Sequence, residues 1–399
     1  MKILVANIGS TSFKFRLFDV ADGSQREQAR GGVDRIGGAG GTLAFSLGGD
    51  ERAPRPCACA DHAEAISACL EALEAAGALG EGQTLDAVAF KAVMARGCEP
   101  VALVNEDVLA GMEYYSPVAP AHNPAYVAAM RSFRRALPDT PLVAAFEPGF
   151  HRTVPERRWR YAVPHEWAEK FGVRRHGFHG ASHRYVAERT AELMGPASRI
   201  ISCHLGGSSS LCAIRDAASV ATSMGFSPQS GLPHGSRVGE LDPFAVGLVV
   251  RETGKGLEQI LAELGAHAGL AAMSGTGGDM RDIESAAEAG DERAVLAVEA
   301  LATAVRDYLG AYLVELGGAE AIVFTGGIGQ HSPLIRGRVC RGLDFAGIRL
   351  DGDKNAAAEG ECRIDADESN TAIWVMPTNE ELIVARQAAE LLRLQKGGR

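Results

Sequence analysis

One local pattern occurs twice in this chain and restricts its possible folds more than any other feature. In Ile3–Arg16, ILVANIGSTSFKFR, a β-branched run enters a tip containing Asn7, Gly9, Ser10, Thr11 and Ser12. The run that leaves it alternates, with Phe13, Phe15 and Leu17 on one face and Lys14 and Arg16 on the other. In Arg199–Leu211, RIISCHLGGSSSL, a β-branched run again meets a Gly/Ser tip and an apolar exit. Such a tip lets backbone N–H groups approach a phosphate closely, and Lys14 adds a point charge. An ordinary hairpin explains either stretch alone. Their recurrence at roughly two hundred residues' spacing predicts two similarly folded halves, each presenting a phosphate-binding tip to a shared cleft.

The length of 399 residues exceeds the usual single core, which also favours two domains. A net charge of −10 disfavours a nucleic-acid partner. No apolar run reaches the ~18 residues of a membrane span and the N-terminus lacks signal-peptide character, so a cytoplasmic protein is expected. The eight cysteines are scattered, with Cys57 and Cys59 the only close pair, and read as reduced thiols.

Residues 20–60 read as edge strands and exposed loops around the alternating piece Thr42–Leu47. A helix His62–Ala76 and a strand Leu85–Val93 follow, the strand–helix–strand order of α/β folds. The loop APAHNP carries His122 and Asn123 into a helix Ala125–Leu137, and the strand Pro141–Phe146 runs into Glu147. A carboxylate at that strand end suits a functional group or a solvated terminus equally. The stretch RRHGFHGASHRYV, 174–186, reads as a basic anion-contact loop opening a helix at Ser182 rather than a metal site. Its His179, between Gly177 and Gly180, is the residue least explicable as packing.

Ser223–Pro243 is a long Gly/Pro/Ser-rich loop with Arg237 as its candidate anion contact. Residues 244–264 and 291–316 have amphipathic helical spacing, with a glycine-rich turn ending in Asp279, Met280 and Arg281 between them. Ala321–Gly329, AIVFTGGIG, is a third strand entering a glycine turn. Ala372–Met376 reads as a strand and Glu380–Leu394 as a helix. Glu380 and Glu381 at the start of that helix favour its dipole or hold a metal.

The motifs NIGSTSFK, APAHNP, RRHGFHGASHRYV, HLGGSSS, SMGFSP, GSRVGELDP, DMRD, FTGGIG and PTNEELIVAR together resemble the acetate kinase family, of the acetate and sugar kinase, heat-shock chaperone and actin superfamily. The resemblance implies an α/β fold of two actin-like, ribonuclease H-like domains around a nucleotide cleft. The N-terminal one would span 1–148 joined by helix 380–399, and the nucleotide-binding one 149–379. It implies reversible ATP-dependent phosphorylation of acetate or propionate, with Mg2+ or Mn2+, in a homodimer.

By the same resemblance, Asn7 and Glu380 bind the metal. Ser12, Lys14, His204, Leu205, Gly206, Gly207 and Ser208 hold phosphates. Asp279, Met280 and Arg281 hold the nucleotide with Gly327, Ile328, Gly329, Gln330 and His331. Val93, Ala121, His122, Phe178 and Pro228 would line the acyl pocket, while His179, Arg237, Glu147 and Lys91 would act on the reacting groups. A carboxylate acceptor is already ionised at neutral pH and needs no strong general base.

Four positions depart from the family pattern. Lys91 stands where the family has a substrate-contacting arginine, Glu147 where it has an aspartate, Gly207 where it has an asparagine, and Ala121 where it has a pocket leucine. Lysine cannot make the bidentate fork of arginine. The alternatives are a kinase for a more polar acid, favoured by Lys91, Arg96 and His234, or a nucleotide-binding regulatory protein with weakened catalysis.

Overall fold

The computed structural model describes residues 1–9, 11–21, 24–38, 40–79, 85–196 and 199–397. Ser10 of the first tip lies outside them. The chain divides into two compact units, Met1–Gly149 with Asn379–Arg399, and Phe150–Thr378.

In the first unit, the β-branched strand Lys2–Ile8 pairs antiparallel with Ser12–Ala21, and Asn7 stands opposite Lys14. Strand Ser24–Asp34 and then Thr42–Leu47 extend this meander. Residues 20–60 thus supply a large part of the sheet, not merely its fringe, and glycines 31 and 32 sit where any side chain would strike the neighbouring strand. On the other side of Lys2–Ile8 run the parallel strands Ala87–Ala92 and Leu142–Phe146, with Val101–Leu103 antiparallel at the edge. The buried faces of these strands pack against helices His62–Ala75 and Asn123–Ala136. The C-terminal helix Glu380–Gly397 packs on strands of the same sheet.

The second unit repeats this order. Arg199–His204, Ser210–Arg215 and Ala218–Thr222 form an antiparallel meander, and Ala321–Thr325 and Ala372–Val375 add in parallel beside Arg199–His204. The recurring hairpin therefore opens a mixed sheet of the same connectivity in each unit. The helix Glu292–Leu316 covers the second sheet, burying Leu301, Val305, Leu309, Tyr312 and Leu316 at helical spacing. It is capped by Asp291 at its start and by left-handed Gly317 at its end.

The helical pattern of 244–264 is broken. Gly254 adopts a left-handed cap and separates Pro243–Thr253 from Leu257–Ala266. The first of these helices buries none of its residues in its own unit, and Phe244 is 87% exposed.

Candidate active site

The first unit gathers Asn7, Lys14, Lys91, Glu147 and Glu380. Asn7 lies within its strand, not in the turn as the tip reading placed it, and its Oδ1 accepts from Tyr126 Oη at 3.2 Å. Lys14 is exposed and Ser12 half-buried. A Cβ on Gly9 would stand 2.5 Å from Ser12 Oγ, so a side chain there would displace that hydroxyl. His122 is half-buried before the helix that Asn123 begins, Ala121 is exposed, and Val93 is buried after its strand. Asn123 is structural, because its amide donates to the carbonyls of Met94 and Met112.

Lys91 donates to Glu380 in a largely shielded ion pair. Burial pulls this ammonium toward neutrality, but Glu380, Glu147 and Tyr126 overcome it and hold Lys91 above the ordinary lysine range. A substrate contact expected of Lys91 is therefore engaged with a carboxylate expected at the metal. The donors here are all oxygens, an amide in Asn7 and carboxylates in Glu147 and Glu380, and so suit a hard divalent cation. No cluster of three or more His, Cys, Asp or Glu suited to a metal occurs among the described residues. Mg2+ held by one or two carboxylates draws further ligands from water and substrate phosphates.

In the second unit, four glycine-bearing segments converge. The backbone N–H of Leu205 goes to Thr325, and that of Gly206 to Ser209 Oγ. This leaves Gly207, which is exposed, and Ser208, which is half-buried, as the accessible residues of the tip. Gly235 donates to the Gly207 carbonyl at 3.0 Å, and a Cβ on Gly278 would lie 2.5 Å from the Gly235 carbonyl. Ile328 and Gly329 donate to the Leu205 carbonyl from a helix, Gly326–His331, where the sequence suggested an open turn. The helix Met280–Glu288 begins at Asp279, which pairs with Arg281 on the surface, whereas Met280 and Leu205 point into the core. Gln330 is held through its carbonyl by Arg336, and His331 ends its helix exposed.

His179 has left-handed backbone, φ 56°, at the start of helix Gly180–Met194, two residues earlier than Ser182. Few side chains adopt this geometry, and such strain clusters at functional positions. A Cβ on Gly177 would strike His151 and Thr222 at 2.6 Å, and His151 Nε2 holds the Phe178 carbonyl at 2.9 Å. The His179 ring stacks on His204 at 4.2 Å, and its Nδ1 meets Ser210 Oγ at 2.9 Å.

The reading of 174–186 as a basic anion loop is corrected. Arg175 donates to three backbone carbonyls, of Thr222, Ser223 and Met224; Arg174 lies over Trp159; and Arg184 pairs with Glu188. His179 is the residue this stretch contributes to the candidate site. Arg237, by contrast, makes one hydrogen bond to the Pro228 carbonyl at 2.7 Å, and burial lowers its guanidinium pKa.

His234 cannot supply charge for a more polar acid. Its Nδ1 accepts from Ser209 N–H, its Nε2 faces the Ser230 carbonyl, and burial with Arg237 beside it pulls the imidazole down to about 3. Arg96 stacks on Tyr114 at 4.3 Å. Arg336, missed in the sequence, is only 1% exposed and ties Gly329, Gln330 and Asn355 together. Its helix Pro333–Cys340 lacks a clear apolar face that would have flagged it.

A model described as the acetokinase family matches residues 2–386. The chain belongs to the acetokinase family. An acetate kinase of Geobacillus kaustophilus is 38% identical over 399 residues, covering 98% of this chain and 100% of its own. One of Carboxydothermus hydrogenoformans is 40% identical over 400 residues, covering 98% and 99%. The crystal structure of Porphyromonas gingivalis acetate kinase superposes with a TM-score of 0.84 at 33% identity, over 98% of this chain and 99% of that one. A propionate kinase from Francisella tularensis does so with 0.88 at 30%, over 97% and 98%. As an acetokinase-family member the protein is an ATP-dependent phosphotransferase with a carboxyl acceptor, and its two mixed-sheet units have the actin-like fold of that family. Among the described residues no helix is long and apolar enough to cross a membrane.

Proposed function

We propose that the protein phosphorylates a short-chain carboxylate of the acetate or propionate type, reversibly and by direct in-line transfer from ATP. The observation that carries this reading is the convergence of the Gly207–Ser208 tip, the loop bearing Arg237, the start of helix Met280–Glu288 and helix Gly326–His331 within one unit, with His179 against His204 and Ser210, the residues on either side of the HLGGSSS turn. The second unit binds the nucleotide: the tip receives phosphates, and the segments 279–281 and 327–331 border the base and ribose. His179 and Arg237 donate to the oxygens of the moving phosphoryl group, where charge is spread in the transition state.

The first unit serves the other reactant. Lys14 contributes charge for the phosphates. Asn7 and Glu380 hold Mg2+ or Mn2+, which neutralises phosphate charge when bound. Val93, Ala121 and His122 are this unit's residues for the acyl group. Lys91 and Glu147 set the charge around the carboxylate. The exposed apolar residues Phe244 and Leu248 of helix Pro243–Thr253, and Leu257 and Leu261 of helix Leu257–Ala266, support a homodimer formed through these two helices. A cytoplasmic location agrees with small, charged reactants.

Trapping acyl phosphate as hydroxamate tests this reading, with ATP and Mg2+ and a panel of acetate, propionate, butyrate, a hydroxy acid and a dicarboxylate. Product with acetate or propionate above the others is the expected result. Preference for the polar acids overturns the assignment of the acyl group, and ATP hydrolysis without acyl phosphate overturns the kinase itself.

A further inference from the structure

The three buried histidines of the second unit are of two kinds. A ring nitrogen that faces a carbonyl must carry a proton, and one that faces an N–H must be bare. His151 is fixed as the Nε2–H form by the Phe178 carbonyl, with Ser219 Oγ on Nδ1 at 2.9 Å. His234 is fixed as the same form by the Ser230 carbonyl and Ser209 N–H. His183 differs, because both of its nitrogens meet hydroxyls: Ser202 Oγ on Nδ1 and Ser210 Oγ on Nε2, each at 2.8 Å. Ser210 Oγ also meets His179 Nδ1 at 2.9 Å. Ser202, His183, Ser210 and His179 thus form a continuous row.

We propose that this row is a one-way hydrogen-bond chain, started by Ser202, which holds His179 as the tautomer with its proton on Nε2. It builds on the reading of His179 as a phosphoryl contact.

The direction follows from counting protons. The Ser210 hydroxyl has one proton and two imidazole neighbours, so it donates to one and accepts from the other. Two arrangements satisfy it, and Ser202 decides between them. Ser202 and Ser210 are buried, and His183 Nδ1 is the one hydrogen-bond partner of Ser202 Oγ among the described residues. If His183 donated from Nδ1, the Ser202 proton would be buried without an acceptor, which is the costlier defect.

Ser202 therefore donates to His183 Nδ1. His183 then donates from Nε2 to Ser210, and Ser210 donates to His179 Nδ1. Burial keeps His183 neutral, its pKa well below the ordinary value, so it has one ring proton to give. His179 Nδ1 is an acceptor in this arrangement, and the ring proton stands on Nε2. His179 then donates to an anion as a neutral imidazole. Ser202, His183 and Ser210 are positioning residues that fix which atom carries the proton.

The full chain labelled with 15N-histidine, without ligands and at about pH 7.5, where the tautomer and not the charge is in question, reads this directly. Long-range proton–nitrogen spectra, with His179 assigned by the peak lost in His179→Gln, should show pyridine-type Nδ1 and pyrrole-type Nε2 for both His179 and His183. Ser210→Ala should move the His179 nitrogens toward averaged values, and Ser210→Thr, which keeps the hydroxyl, should restore them. In the trapping assay, Ser210→Ala should lower kcat by about 10- to 100-fold, the range for removing a partner that orients a functional ring.

A proton on His179 Nδ1, or no response to Ser210→Ala, overturns the chain. The wild-type spectrum decides this even if a variant fails to fold, since sequential assignment of the wild type then locates the His179 peak. If the tautomer is correct but His179→Gln transfers phosphoryl groups at the wild-type rate, the role of His179 fails and the chain stands. If the tautomer is wrong and that variant is inactive, the reverse holds.

Discussion

Lys91 donates to Glu380 within the first unit, linking a central strand to the first turn of the C-terminal helix, with Glu147 facing the same ammonium. Their side chains are 23% and 11% exposed, so removing the cation leaves a mostly buried carboxylate uncompensated. Lys91→Met should lower stability by about 2–3 kcal/mol, somewhat less than for a fully buried pair. A lysine whose folded pKa is raised contributes stability below its unfolded value, about 10.4, and loses it as pH rises through the folded value. The cost should therefore be equal at about pH 7 and 9. Urea unfolding at both pH values checks this; a cost that vanishes at the higher one contradicts the pair.

The same substitution releases Glu380 for a divalent cation. Mn2+ binding without nucleotide should tighten by about tenfold, or 1.4 kcal/mol, in Lys91→Met. Electron spin resonance of free Mn2+ measures this independently of turnover. Unchanged or weaker binding would show that Glu380 is not where the cation sits.

His151 and His234 are held neutral by burial, down to about 4 and about 3. In the unfolded chain both take up protons below the ordinary value near 6.5, so the unfolded state binds more protons and stability falls with falling pH. Each should contribute a loss of about 2 kcal/mol between neutrality and about pH 5, before native carboxylates titrate. The urea midpoint measured over that interval should drop, and His234→Gln should flatten the drop. A midpoint independent of pH would mean that these rings are accessible to protons in the fold.

Much of the fold could be read in advance because the two hairpins are local. A β-branched run entering a Gly/Ser tip and an alternating or apolar run leaving it set both strands of each hairpin, and capped apolar spacing set the helix Glu292–Leu316. What escaped was tertiary. Lys91 and Glu380 are 289 residues apart, and nothing near either one marks the partner. The arginines of 174–186 look like an anion site because their carbonyl and aromatic partners, at 222–224 and Trp159, are supplied by other segments. The pattern of 244–264 was amphipathic, but its apolar face stays exposed within the unit, which periodicity alone cannot distinguish from core.

Among the described residues the Arg237 guanidinium makes one hydrogen bond, to the Pro228 carbonyl. Arg237→Ala forfeits about 0.5–1.5 kcal/mol of stability by that loss, which the fold can absorb. Its charge in the transition state is a larger matter, and kcat should fall by about 10² to 10³. Hydroxamate assays with circular dichroism of the same sample check both halves. An unchanged kcat with the preferred acid would remove Arg237 from the reacting groups.

Gly207 and Gly269 flank the same loop and should respond oppositely to a side chain. Nothing lies within 4 Å of a Cβ on Gly207, so Gly207→Asn should leave stability within about 0.5 kcal/mol of the parent. Its amide could reach a phosphate, and one such bond should lower the nucleotide Kd by about three- to tenfold. On Gly269, φ 62°, a Cβ would lie 2.2 Å from the His234 carbonyl and 2.6 Å from that of Arg237. Both obstacles are backbone, so the loop bearing Arg237 must move to admit it, on top of about 1–2 kcal/mol for left-handed geometry. Gly269→Ala should therefore lower the melting temperature and kcat together, whereas Gly207→Asn changes nucleotide affinity alone. Calorimetry of unfolding and of nucleotide binding on the two variants separates the outcomes. A destabilised Gly207→Asn would mean that the tip is more closely packed than its open surroundings indicate.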